Sequence, residues 1–224
     1  MTTWTTQERI DAGTVRLDGD LTLPEHPAGV VLFAHGSGSS RHSPRNRAVA
    51  QELNRRGLAT LLADLLTREE EAADSRTGDL RFDIGLLADR LVAMIDWTRN
   101  QPPTASLPIG LFGASTGGGA ALVAAAARPE AVRAVVSRGG RPDLAGPALV
   151  EVRAPTLLIV GERDQRVVDM NEQARNTMRI RAELRIIPSA THLFEEPGAL
   201  EQVAEEAGDW FSMHLAAASR EPVR

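Results

Sequence analysis

Six short apolar runs set the terms for any fold this chain can adopt: Val30–Ala34, Leu58–Ala63, Ile109–Phe112, Val132–Val136, Thr156–Val160 and Leu184–Ile187. Each is too short to be a helix, and none shows the apolar–polar alternation of a strand with one wet face. They read as strands buried on both sides. Between them lie stretches with helical spacing. Ala48–Arg56 is closed by Gly57. Asp83–Asn100 puts Leu87, Leu91, Met94 and Ile95 on one face and stops before Pro102. Thr116–Ala127 is a run of small residues ended by Arg128-Pro129. Val168–Met178 is a further helix, and Ala199–Leu215 carries Leu200, Val203, Ala207, Trp210, Phe211 and Leu215 on one stripe. Short buried strands alternating with helices require right-handed crossovers, hence a mostly parallel sheet covered on both faces. The fold class is α/β.

Two stretches depart from this rhythm. Val15–Leu17 and Leu21–Leu23 flank Asp18-Gly19-Asp20, a turn signal, and are expected to form an N-terminal hairpin. The region from Asp64 to Leu80 is acidic and has no clear period, so it is expected to be a solvated loop, with Glu69-Glu70-Glu71 facing water. No repeat, low-complexity segment or linker divides the 224 residues, and one domain over 1–224 is expected.

What the chain lacks narrows its chemistry. It has no cysteine, no lysine and no tyrosine. Disulfides, thiolate nucleophiles, Schiff bases and a P-loop lysine are therefore excluded. The net charge of −5 weighs against nucleic acid as a partner. Met1–Ile10 is polar, with no basic start or apolar stretch, and no apolar run approaches the thickness of a bilayer. No secretory signal, no membrane partner and a cytoplasmic location are expected.

The strongest chemical signal is Gly113-Ala114-Ser115-Thr116-Gly117, between the strand Ile109–Phe112 and the small-residue helix. A serine thrust out of a sharp strand-to-helix turn needs small neighbours two residues away on either side. The same turn aims it at free N–H groups of the helix start. A serine hydroxyl needs a base. Of five histidines, His192 alone follows the last strand, on a loop at the sheet edge where open α/β sheets place their sites. His26 lies between prolines, His35 and His42 follow an early strand, and His214 falls on the last helix. The acid that orients the histidine is expected between serine and histidine in chain order. Asp164 fits, where Leu157–Val160 runs into Gly161-Glu162-Arg163-Asp164; Asp143 and Asp169 are its rivals. His35-Gly36-Ser37-Gly38 follows Val30–Ala34 and suits an oxyanion loop, with the backbone N–H groups of Ser37 and Thr116 as donors and His35 as a brace. Arg41, Arg45 and Arg47 follow that loop, and Arg138 ends another strand. Arg41 and Arg138 are the candidates for binding a substrate carboxylate, with loop bracing as the alternative.

Together, His35-Gly36, Gly113-x-Ser115-x-Gly117, Gly161-x-x-Asp164 and Ala190-Thr191-His192 make the chain resemble the α/β-hydrolase superfamily, and within it the dienelactone-hydrolase-like group, from about Val15 to Leu215. The resemblance implies a sheet of about eight strands, no large cap domain, and hydrolysis of an ester-type bond in a small molecule. Dienelactone hydrolases proper look to a cysteine nucleophile, and this chain has a serine, which favours a general carboxylesterase acting on esters, lactones or thioesters through an acyl-enzyme. No metal or other cofactor is expected. A perhydrolase-type activity on the same triad, a non-catalytic scaffold on the same fold, and a homodimer stay open.

Overall fold

The computed structural model describes residues 2–216. Its strands are β1 (Thr3–Ala12), β2 (Val15–Pro24), β3 (Val30–Ala34), β4 (Ala59–Ala63), β5 (Ile109–Ala114), β6 (Val132–Arg138), β7 (Thr156–Gly161) and β8 (Ala182–Ile187). They form a single sheet in the order β1-β2-β4-β3-β5-β6-β7-β8. The pairs from β4 through β3, β5, β6 and β7 to β8 are all parallel; β1 and β2 join antiparallel at one edge. The helices are α1 (Pro44–Arg55), α2 (Arg68–Thr77), α3 (Ile84–Asn100), α4 (Thr116–Ala127), α5 (Gln165–Thr177) and α6 (Ala199–Ala216).

The strands bury both faces, as continuous apolar runs must. On one face Leu32, Leu111 and Val135 pack against Leu91 and Met94 of α3 and Leu122 of α4. On the other, Phe33, Phe112 and Val136 meet Leu53 of α1 and Phe211 of α6. This is the eight-stranded, mostly parallel α/β-hydrolase architecture that the sequence motifs imply. Among the described residues, no helix is long and apolar enough to cross a membrane.

Two expectations are corrected. Asp18-Gly19-Asp20 is no turn: β2 runs through it, and the hairpin partner is β1, which pairs Ala12 with Val15. The connection is Gly13-Thr14, with Gly13 at φ +69°, where glycine is the cheap residue at the first position of a tight hairpin turn. Gly19 falls on the buried side of the alternation, where a Cβ would stand 3.1 Å from Ile10 Cδ1 and 3.3 Å from Leu61 Cδ1. The second correction is within Asp64–Leu80, where a helix, α2, replaces the expected loop. Thr67 accepts from the Glu70 amide at 3.1 Å, Glu70 accepts from the Thr67 amide at 2.8 Å, and Gly78 ends the helix at φ +75°. The buried Asp74 then accepts from the amides of Leu80 and Arg81, which turns the chain toward α3.

Candidate active site

Every sequence-predicted group lies at the carboxyl end of a parallel strand or in the loop that follows it. Ser115 follows β5 with φ 52° and ψ −122°, a conformation that costs a side-chain-bearing residue free energy. Three backbone hydrogen bonds hold it there. Its N–H donates to the Arg138 carbonyl at 3.1 Å, and its carbonyl accepts from Gly118 at 2.9 Å and Arg141 at 3.1 Å. The flanking glycines answer a steric demand. A Cβ on Gly113 would stand 2.5 Å from the Gly117 carbonyl oxygen, and one on Gly117 would run into the carbonyls of Ala34 and His35.

His192 and Asp164 are brought together, with Nδ1 and Oδ2 2.6 Å apart. A carboxylate only accepts, so Nδ1 carries a proton; in the neutral ring that leaves the lone pair on Nε2. Nε2 has no hydrogen-bond partner among the described residues. The ring lies beside the elbow: a Cβ on Gly139, the residue after Arg138, would be 3.5 Å from His192 Cε1. Ser115 and His192 thus flank the same end of β6 without a direct hydrogen bond in this arrangement; such bonds often close only when substrate binds. The rivals of Asp164 are committed elsewhere. Asp143 takes both of its bonds from Arg141, at 2.7 and 2.8 Å, and Asp169 accepts from Gln165 at 3.1 Å.

The histidine loop is braced by two acids that sequence reasoning missed. Glu162 accepts from the Ser189 amide at 2.7 Å and Glu196 from the Thr191 amide at 3.0 Å. These bonds hold a loop in which Ser189 and Phe194 both have positive φ. Hydrogen bonds from Thr191 keep the Glu196 carboxyl below its ordinary range. The available signal was position alone: Glu162 lies inside the Gly161-x-x-Asp164 turn, and Glu196 is one turn past His192.

On the opposite side, His35 is a brace, as expected. The Leu65 amide donates to its Nε2 at 3.0 Å, so Nδ1 bears the proton and donates to the Gly36 carbonyl at 3.0 Å. Burial holds this imidazole below its ordinary pKa, against the opposing pull of Gly36, Asp64 and Glu71. The Ser37 amide donates to Thr116 Oγ1 at 2.9 Å. The Thr116 amide, at the first position of α4, has no acceptor in its own helix. A small cleft of about 40 Å³ opens between this loop and α2, with Ser37, Ser39, Asp64, Leu66, Glu71 and Leu87 on its walls.

The two tentative arginines part company. Arg41 braces loops: its amide and its guanidinium both bond Asp64, and Asp20 lies 3.7 Å from Nε. These contacts match the loop-bracing alternative. Arg138 is buried, and among the described residues its Nε and Nη1 have no acceptor. Burial, reinforced by Arg45, brings its pKa down to about 10, which leaves it cationic at neutral pH.

Comparison with known proteins places this geometry in a family. Residues 17–218 match the model of the dienelactone hydrolase family. Two relatives from Mycobacterium tuberculosis strains CDC 1551 and H37Rv, provisionally named phosphoribosyl transferases, are 60% identical over 207 residues. That alignment is 92% of this chain and 46% of theirs, so the chain spans about half the length of the curated relatives it matches. Among solved structures, a dienelactone hydrolase from Anabaena variabilis is 60% identical, with a TM-score of 0.94 over 95% of this chain and 99% of that one. Est1E from Butyrivibrio proteoclasticus shares the fold at 18% identity, with a TM-score of 0.79 over 94% of this chain and 99% of its own. With a family match over nearly its whole length and a close relative that superposes on it, this chain belongs to the dienelactone hydrolase family of hydrolases.

Proposed function

We propose that the chain is a serine hydrolase of small carboxylic esters, lactones or thioesters, with Ser115 as nucleophile, His192 as general base and Asp164 as the acid that orients the histidine. The observation that carries this reading is the 2.6 Å His192–Asp164 pair beside the strained Ser115. In the first step His192 Nε2 takes the Ser115 hydroxyl proton as Oγ attacks the carbonyl carbon. The negative charge moves to the carbonyl oxygen, where the amides of Thr116 and Ser37 would receive it. Collapse expels the alcohol or thiol, which leaves with the proton from Nε2, and Ser115 holds the acyl group. Water then repeats the sequence, releasing the acid and restoring the hydroxyl. For the Ser37 amide to serve, its bond to Thr116 must give way to the developing oxyanion.

The relatives' provisional name belongs to proteins about twice as long, and the half matched here is the hydrolase-family half. A fluorophosphonate probe tests the proposal: wild type is expected to be labelled, and Ser115→Ala not. Asp164→Asn should lower kcat on a 4-nitrophenyl ester by about 10⁴-fold, the scale seen when a triad acid is neutralised in place. Full labelling of Ser115→Ala would sink the reading.

A further inference from the structure

The sheet ends at β8, and among the described residues no strand lies beyond it. β8 pairs with β7 over all six of its residues without a shift of register. The Thr156 amide donates to the Arg181 carbonyl at 3.2 Å, and the Glu162 amide to the Ile187 carbonyl at 3.0 Å. Glu183 and Arg185, which alternate with these two, therefore also turn their backbone groups toward β7, and Ala182, Leu184 and Ile186 turn theirs outward. An open edge is a template for another strand. Proteins that keep one unpaired blunt it with a proline, a bulge or an inward-pointing charge. β8 has no proline and no bulge between Ala182 and Ile187, and Ile186 stands 43% exposed on it. Beside it on α6, Glu206 meets Arg185 at 3.3 Å, and Met213, two turns further along the same stripe, is 62% exposed.

The side chains along the edge select what fits it. Leu184 packs on Val167 and Val168 of α5, so Ala182 and Ile186 share the α5 face. Glu183 and Arg185 lie on the α6 face. An antiparallel partner must set outward backbone groups against outward backbone groups. For a second copy of β8, three registers do this while keeping most of the strand paired. Opposing Ala182 to Leu184 sets Glu183 against Glu183. Opposing Leu184 to Ile186 sets Arg185 against Arg185. Opposing Leu184 to Leu184 sets Glu183 of each copy against Arg185 of the other, and Ala182 against Ile186 on the α5 face. Like charges directly opposite destabilise a strand pair and unlike charges stabilise it, so the charges pick out the third register. Within its own chain Glu183 already holds Arg181 at 2.5 Å and Arg185 at 2.8 Å, and a carboxylate has acceptor sites left for a guanidinium from across the edge.

We infer that β8 is a self-complementary interface, along which two copies of this chain pair antiparallel with Leu184 on Leu184, joining their sheets into one. The pairing is isologous: one twofold axis relates every contact to its repeat. The inference is independent of the reading of Ser115. In an antiparallel pair the carboxyl ends of the two β8 strands point in opposite directions, so the two candidate sites open away from each other and neither is built by the other copy.

Sedimentation velocity of the full chain tests it. The wild type is expected as a dimer at about 50 μM that dissociates on dilution to about 1 μM, a Kd in the micromolar range. Arg185→Glu and Glu183→Arg each set like charges opposite one another twice, and each should weaken the association by about 10-fold or more. Mixed in equal amounts, the two variants regain both unlike pairs, and their heterodimer should form with an affinity near that of the wild type. Ile186→Lys puts a charge on the open edge and should also leave a single chain. Circular dichroism establishes that each variant is folded. A wild type that stays single at about 50 μM, whether residues 217–224 or a different protein takes the edge, would overturn the inference. A mixture of folded charge variants no tighter than either alone would overturn it too. Should the charge variants fail to fold, a dimer that Ile186→Lys leaves intact does the same.

Discussion

Ser115 holds strain in its backbone. Its φ of 52° is available to glycine at little cost but costs a serine about 1–3 kcal/mol, and three hydrogen bonds to Arg138, Gly118 and Arg141 keep it there. Ser115→Gly should therefore raise the unfolding free energy by about 1 kcal/mol in urea titration while removing probe labelling; a destabilised variant would mean the elbow is not strained. At this scale much of the candidate site is legible in the sequence. Serine between glycines two residues away, a histidine after the last strand and an aspartate after the strand before it are local patterns. Arg138 is not legible in the same way. A charge at a strand end reads as solvent-exposed, and only the sheet order, which sets β6 between β5 and β7, with Phe194 and Arg45 nearby, shows that it is buried.

The elements follow the same division. Runs such as Thr156–Val160 announce their strands because burial on both faces demands unbroken apolar sequence. In β2 the alternation of Leu17, Gly19, Leu21 and Leu23 on the buried side persists through a dipeptide that usually signals a turn, and pairing with β1 and β4 outweighs the local preference. In α2 the overlooked signal is Thr67-x-x-Glu70, a capping box in a stretch with almost no apolar face. Glu70 does two jobs there: one oxygen caps the Thr67 amide, and the other meets the buried Arg90 at 2.7 Å. The two roles can be separated by unfolding measurements. Thr67→Ala should cost about 1 kcal/mol as a lost cap, and Glu70→Ala about 2 kcal/mol or more, because it also strands a buried guanidinium. Equal costs would show that the ion pair contributes nothing.

Over the whole molecule, the parallel strands bring their carboxyl ends to one edge, so the ends of β3, β5, β6, β7 and β8 and the connections after them supply every group of the candidate site. The same architecture couples folding to protons. Burial keeps His35 below the ordinary histidine pKa, and burial with help from Arg181 does the same for His214 against the pull of Glu183. Below about pH 6.5 the unfolded chain takes up protons that the folded chain refuses. Stability should then be flat above that pH and fall as the solution is acidified, by at most about 1.4 kcal/mol per pH unit for each histidine. His35→Gln should make the decline shallower between pH 6.5 and 5 in denaturant titrations, with the remainder owed to His214 and the carboxylates; an unchanged slope would mean the His35 ring is protonated in the folded state.

The bond from the Ser37 amide to the Thr116 hydroxyl has a consequence for the resting protein. One residue supplies the amide at the start of α4 and, through its side chain, a stand-in for the reacting oxygen at the facing amide. Under the mechanism proposed above, the two donors for negative charge stay assembled between turnovers, with the Thr116 hydroxyl holding the Ser37 amide until a developing oxyanion displaces it. Such a latch favours the crest of the reaction over the bound ester, which is where a catalyst gains most.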